Sequence, residues 1–155
     1  MEGNIVANSN TNALSVYRET RIKTAGQGQL IIMLYNEAVK YLDQGVEFLE
    51  RYIQEKKNPG RIEQIGKSIL KSQEIISELM VSLDFERGGE IARNLFSLYS
   101  WFNQELLEAN ITLDMQRIIN IRDMVIELRG AWGEAITKTT LESNIAARTG
   151  LNISG

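Results

Sequence analysis

Apolar residues recur every three or four positions along four segments of the chain, and this periodicity constrains the fold more than any other feature of the sequence. It predicts four amphipathic helices over about residues 29–56, 60–83, 89–110 and 113–136. Proline occurs once, at Pro59, and no segment shows the strict alternation that is typical of a strand. Long helices joined by short loops indicate an all-α protein, an antiparallel up-down four-helix bundle.

The bundle is expected to span residues 25–137, between two polar tails. Residues 1–24 are expected to form a flexible N-terminal segment, and residues 138–155 a mobile C-terminal tail. Asn, Ser, Thr and Gly are frequent in both tails, so that little apolar surface is available there for burial. Gly26 and Gly28 are interpreted as a hinge between the N-terminal segment and the first helix.

The expected helix ends carry capping signals. Asn58 followed by Pro59 predicts the N-cap and the first residue of the second helix. The paired glycines at 88–89 predict a tight turn before the third helix. Thr112 or Asp114 is available as the N-cap of the fourth helix.

The composition argues against several classes of function. The chain has 155 residues and a net charge of −3, so it offers no positively charged footprint for a nucleic acid. It contains no Cys and no His, which removes thiolate chemistry, the commonest general base and the commonest metal ligand. No apolar run approaches the roughly 20 residues of a membrane span, and the polar N-terminus does not resemble a signal peptide. A cytoplasmic protein without membrane insertion is expected.

One Gly-rich stretch of the sequence is a candidate phosphate-binding loop. The stretch Gly26-Gln27-Gly28-Gln29 precedes a helix, but it lacks the lysine of a Walker loop. It also lacks the preceding strand that a Walker loop and a dinucleotide-binding turn both require. The stretch is therefore interpreted as a helix entrance. No catalytic, cofactor-binding or metal-binding residue is predicted, and the chain is not expected to be an enzyme.

The apolar side of the third helix spans roughly half of its circumference, which is wider than the arc of somewhat more than 100° that a small bundle requires. Two interpretations stay open from the residues alone: the helix packs on two neighbours, or its surplus apolar stripe forms a groove for a partner helix or for the chain's own tail. Trp101 and Met33 fall on polar helix faces, and Tyr17 stands in a polar tail, so each is a candidate contact residue.

Several stretches of the sequence resemble one known family. They are Tyr17, "TAGQGQLIIMLYNEA", "LDFERGGEIARNLFSLYSW", "LLEANITLD" and "LRGAW". In this order they resemble the flagellar secretion chaperone family FliS, and the resemblance covers about residues 14–136.

The resemblance implies a cytoplasmic export chaperone that binds the C-terminal segment of newly made flagellin. Such a chaperone prevents premature polymerisation and delivers flagellin to the flagellar type III export gate. It is expected to be a monomer that binds its client one to one, without a cofactor. The alternative is a non-enzymatic helical adaptor that self-associates through its surplus apolar face.

The resemblance also implies contact residues. Leu14 and Tyr17 correspond to the region that meets the export gate. Contacts with the client are implied at the start of the first helix, in the "NLFSLYSW" stretch and before the fourth helix, at Leu30, Met33, Leu34, Tyr35, Leu95, Leu98, Tyr99, Trp101 and Asn110. Leu34, Leu95 and Tyr99 also lie on the seams that predict the core.

Overall fold

The computed structural model describes the backbone of residues 2–149 and the side chains of residues 27–149. The four helices are α1 (Glu2–Gln54), α2 (Ile62–Val81), α3 (Phe85–Thr112) and α4 (Met115–Thr149). A short 3-10 helix, Pro59–Arg61, precedes α2, and residues 2–149 contain no strand. The predicted all-α four-helix fold is confirmed.

The helices form a closed ring of neighbours. α1 packs against α2 and α4, and α3 completes the ring by packing against the same two helices. Because the connections are short, consecutive helices run antiparallel. The contact between α3 and α4 is the least extensive of the four. All four helices contribute to the core, whose largest fully buried side chains are Tyr35, Leu42, Leu49, Ile65, Ile69, Ile76, Leu79, Tyr99, Phe102, Leu106, Ile118 and Ile121.

Three side chains cap helix starts and so fix where the chain turns. Asn58 accepts a hydrogen bond from Gly60 N at 3.1 Å and is an N-cap next to Pro59, but it caps the 3-10 helix Pro59–Arg61 and not α2, whose N-cap position is Arg61. Asp84 caps α3 by accepting from the backbone N–H groups of the second and third residues after it, both at 3.1 Å. Of the two candidates before α4, Asp114 is the cap, since its Oδ1 accepts from Gln116 N at 3.1 Å.

The outer ends of α1 and α4 differ from the prediction. α1 begins at Glu2 rather than near Gln29, and α4 continues to Thr149 rather than ending near residue 136. The backbone is thus helical at Gly26 and Gly28. An interior glycine lowers the stability of a helix by only about 1 kcal/mol, so two glycines need not end it. The flexibility expected of residues 1–24 and the mobility expected of residues 138–155 stay predictions.

Gly28 has a packing role in the structure. A Cβ atom placed on it would lie 2.9 Å from Cδ1 of Ile136 on α4, so glycine permits α1 and α4 to approach closely at this point. The helix entrance expected at Gly26 and Gly28 is wrong, since both residues lie inside α1, whereas a hinge at these glycines stays a prediction.

Candidate functional site

Two tyrosine hydroxyls meet in the centre of the bundle. Tyr35 on α1 and Tyr99 on α3 are hydrogen-bonded to each other, although α1 and α3 are not neighbouring helices. Burial raises the pKa of both phenols, and the pairing with Tyr35 raises the pKa of Tyr99 further. Hydrogen bonds from Tyr99 and Trp132 counter part of the rise at Tyr35. The pair is uncharged at neutral pH and joins opposite sides of the core.

An apolar cleft opens from this core to the end of the bundle where α2 turns into α3. It has a volume of about 300 Å³ and is lined by side chains of all four helices. We call it the end cleft and define it by six apolar or aromatic residues, Ile31, Leu79, Ile91, Leu95, Tyr99 and Trp132. Ile91 stands at its rim with 70% of its surface exposed. The cleft is large enough for one or two bulky apolar side chains.

Two glycines shape the mouth of the end cleft. Gly89 has φ 49° and ψ −121°, a conformation close to glycine-only, and it separates the first turn of α3 from the rest of the helix. Gly88 lines the cleft, and a Cβ atom there would lie 2.8 Å from the Cβ of Ala92. At the same rim, Arg87 Nε lies 3.8 Å from a carboxylate oxygen of Asp84. This pair is exposed, so it contributes little stability.

The other end of α3 is fastened to α4 by charge. Arg117 Nη1 lies 3.1 Å from Glu105 on α3, and Arg117 Nε lies 3.2 Å from Asp114 in the loop. The contact between α3 and α4 is the least extensive of the four, and these ion pairs join the two helices at the end remote from the end cleft. The arrangement leaves the cleft end of the α3–α4 interface apolar and open to solvent.

The structure places most of the implied client contacts in or against the core. Leu34, Tyr35 and Tyr99 are buried. Leu30, Leu95 and Leu98 are partly buried and pack against the core cluster. Of these six residues, Leu95 and Tyr99 line the end cleft, and Tyr35 reaches it through the hydroxyl of Tyr99.

The remaining implied contacts are dispersed. Trp101 is 43% exposed on the outer side of α3, as its position on the polar face predicts, and its ring centroid lies 5.9 Å from that of Phe102. Met33 is half-buried. Asn110 lies at the far end of α3, about 16 Å along the helix from Tyr99, against Gly66 of α2. The side chains of Leu14 and Tyr17 lie outside the described residues.

Of the six residues that define the end cleft, the sequence predicts only Leu95 and Tyr99 as site residues and misses Ile31, Leu79, Ile91 and Trp132. Trp132 lies on the apolar seam of the predicted fourth helix, and Ile91 lies on the wide apolar arc of the third, so neither position differs from that of a core residue. Gly88 was assigned to a turn. Ile91 lies at the edge of that apolar arc, which is the one sequence feature that could have indicated its role. Whether a side chain at the edge is buried or exposed depends on how α4 packs against α3.

The described part of the chain was searched for metal-binding clusters and for membrane-spanning helices. No three acidic, His or Cys side chains in this part of the chain lie close enough together to hold a metal ion. None of the helices that the structure describes combines the length and the apolarity needed to cross a membrane. The fold and the end cleft define a helical-bundle protein with an open apolar cleft at one end.

Comparison with known proteins names the family. The sequence profile described as "Flagellar protein FliS" matches residues 10–139. A flagellar secretion chaperone FliS of Bacillus subtilis is 29% identical over 125 residues, which cover 81% of this chain and 86% of the relative. The FliS of Salmonella typhimurium is 32% identical over 127 residues, covering 81% of this chain and 88% of the relative. The chain belongs to the FliS family of flagellar secretion chaperones.

Proposed function

We propose that the protein binds the C-terminal segment of newly made flagellin in the cytoplasm, prevents its premature polymerisation and delivers it to the flagellar type III export gate. The observation that carries this proposal is the end cleft, an open apolar recess of about 300 Å³ in a chain of the FliS family. The proposed role is binding without catalysis, by a monomer that takes one client and no cofactor.

The end cleft supports the proposal through the energetics of a client that folds on binding. Such a client loses conformational entropy and recovers it by burying apolar surface. Ile91 is 70% exposed in the free protein, so covering it removes apolar surface from water. Full burial of an isoleucine side chain contributes about 1.5–3 kcal/mol. Leu95 and Trp132 supply the floor on which a client side chain would rest.

The remaining implied contacts take separate parts in the proposal. Leu14 and Tyr17 are proposed to meet the export gate. The exposed face of Trp101 and the half-buried Met33 are proposed to meet the client outside the cleft. Tyr35 is proposed to act indirectly, through Tyr99.

The test is calorimetry with a peptide from a flagellin C-terminus and the full chain. Binding with a large negative heat-capacity change is expected, since apolar surface is buried. Ile91→Ser should weaken binding about tenfold or more, because each tenfold corresponds to 1.4 kcal/mol. Val81→Ser is the matched control, since Val81 is 86% exposed and lies outside the end cleft. Absence of binding at high micromolar concentration would refute the proposal.

Gate delivery is tested separately from client binding. Tyr17→Ala should reduce capture of the chaperone–flagellin complex by an export-gate fragment and leave the calorimetric affinity for the flagellin peptide unchanged. Equal loss of both would contradict the division between the N-terminal segment and the end cleft.

A further inference from the structure

A second apolar surface lies on the opposite flank of α3, in the furrow between α2 and α3. We call it the outer furrow and define it by four side chains, Leu70 and Val81 on α2 and Phe96 and Leu107 on α3. Their exposed fractions lie between 43% and 86%. Exposed apolar side chains gathered along one furrow, with polar residues around them, are typical of an interaction site. None of the four residues lines the end cleft.

Hydrogen bonds fix the register of the two helices along the furrow. Gln73 Nε2 donates to the carbonyl oxygen of Asn103 at 3.1 Å, and Asn103 Nδ2 donates to Ser77 Oγ at 3.2 Å. In this antiparallel register Leu70 stands opposite Leu107. By the same register Val81 stands opposite Phe96. The exposed apolar side chains thus form two facing pairs, one at each end of the furrow.

The two pairs are separated by the same interval on both helices. Leu70 and Val81 are eleven positions apart, and so are Phe96 and Leu107. Eleven residues make about three helical turns, so both members lie on one face of their helix, about 16 Å apart. The interval between them is polar, because Gln73, Ser77 and Asn103 occupy it. The furrow is therefore patterned as apolar, polar, apolar.

Each edge of the furrow carries a charged side chain. Glu74 on α2 stands beside the polar interval, and Arg93 on α3 stands beside the Val81–Phe96 pair. Both are exposed, and neither forms an ion pair with a described residue. The α2 edge thus favours a positive charge on an occupant, and the α3 edge a negative one.

We propose that the outer furrow is a docking site for an amphipathic helix of a partner protein. The helix it fits carries two apolar clusters eleven residues apart, polar residues between them, a basic residue facing Glu74 and an acidic residue facing Arg93. This site is separate from the end cleft, and it does not depend on the flagellin-binding proposal. It allows a second helical partner to bind while the end cleft is occupied.

The probe is a synthetic 18-residue helical peptide with two leucine clusters eleven positions apart, glutamines between them, one lysine placed for Glu74 and one glutamate placed for Arg93. The matched control peptide has the same composition with the clusters nine positions apart, which moves the second cluster to the opposite face. Fluorescence anisotropy with the full chain is expected to show at least tenfold weaker binding of the control. Equal affinities of the two peptides would overturn the proposal.

Variants of the chain locate the binding. Leu107→Ser and Phe96→Ser should each weaken binding of the probe about tenfold, whereas Ile91→Ser should leave it unchanged. Because all three side chains are exposed, the variants are expected to fold, which circular dichroism verifies. Glu74→Lys should weaken the probe several-fold, and changing the facing lysine of the peptide to glutamate should restore the affinity. An unaffected affinity in Glu74→Lys would refute the charge assignment and with it the stated partner.

Two further outcomes overturn the proposal by giving the furrow another occupant. A dimer of the free protein in sedimentation equilibrium that Leu107→Ser dissolves would make the furrow an interface between copies of this chain. Tenfold weaker binding of the flagellin peptide to Val81→Ser would make it part of the client site. Neither outcome would remove the proposed flagellin binding, which Ile91→Ser tests.

Discussion

Replacing Tyr35 by phenylalanine should destabilise the bundle more than replacing both Tyr35 and Tyr99, the two central tyrosines. Tyr35 and Tyr99 are buried, and each hydroxyl has the other as its hydrogen-bond partner. Phenylalanine keeps the ring and removes only the hydroxyl, so neither a cavity of side-chain size nor a new contact arises. The single variants leave one hydroxyl buried without its partner, and the double variant leaves none.

The magnitudes follow from what each remaining hydroxyl retains. A buried polar group without a partner costs about 1–3 kcal/mol. In Tyr35→Phe, the Tyr99 hydroxyl keeps no partner among the described side chains, so a loss of about 2 kcal/mol is expected. In Tyr99→Phe, the Tyr35 hydroxyl still has the Trp132 side chain as a hydrogen-bonding neighbour, so the loss should be about 1 kcal/mol. The double variant loses one net hydrogen bond and should cost at most about 1 kcal/mol.

The assay is urea unfolding of the four proteins at pH 7, followed by far-ultraviolet circular dichroism. The free energy of unfolding is extrapolated linearly, and an unchanged slope confirms that the variants keep the native compactness. The double-mutant cycle should then give a coupling energy of about 2 kcal/mol between the two positions. Losses that simply add would show that the hydroxyls do not depend on each other. A larger loss in Tyr99→Phe than in Tyr35→Phe would contradict the role given to Trp132.

Three other predictions concern pH and backbone conformation. Burial raises the pKa of Tyr35 and Tyr99 above the unfolded value of about 10, so the free energy of unfolding should be unaffected below pH 10. Above pH 10 it should fall by up to about 2.8 kcal/mol per pH unit, as measured by unfolding at alkaline pH. The double phenylalanine variant should lose this slope. Lys56 lies in the turn after α1 and has a left-handed φ of 56°, so Lys56→Gly should raise the free energy of unfolding by about 0.5–1 kcal/mol in urea. Destabilisation would show that the Lys56 side chain is needed. Gly89→Ala should lower the free energy of unfolding by about 1–3 kcal/mol through backbone strain alone, because nothing lies within 4 Å of the added Cβ atom. An unchanged urea midpoint would contradict the φ of 49° at Gly89.

The four helices and most of the core could be predicted from the sequence because both depend on local periodicity. The seams that contain Ile69, Phe102 and Ile121 need only the 3.6-residue repeat to place those residues inside. The caps at Asn58 and Asp114 were likewise predictable, since a side chain that accepts from a backbone N–H two residues on acts locally. Both kinds of signal are complete within a few turns of chain.

The pairing of Tyr35 with Tyr99 could not be predicted in this way. Tyr99 lies on the apolar seam of the third helix, and Tyr35 widens the apolar stripe of the first, but 64 residues separate them in the sequence. Whether the two hydroxyls meet depends on the rotation and register of α1 and α3 across the bundle, which neither helix determines by itself. The outer ends of α1 and α4 were missed for a different reason, because a polar composition lowers helix propensity without the proline or cap that would end a helix.

The end cleft was predictable only as an excess of apolar surface on the third helix. The width of the apolar arc on α3 shows that this helix carries more apolar surface than a bundle helix needs, but two neighbours can cover a wide arc. What exposes it is the limited contact between α3 and α4, together with the break at Gly89 that redirects the first turn of α3. Leu98 and Ile91 are seven residues apart on one face, yet Leu98 packs against the core cluster and Ile91 is 70% exposed at the cleft rim. Equivalent positions on one face of α3 therefore differ in exposure: Leu98 is nearer the end that the Arg117 ion pairs join, and Ile91 lies at the end of the cleft.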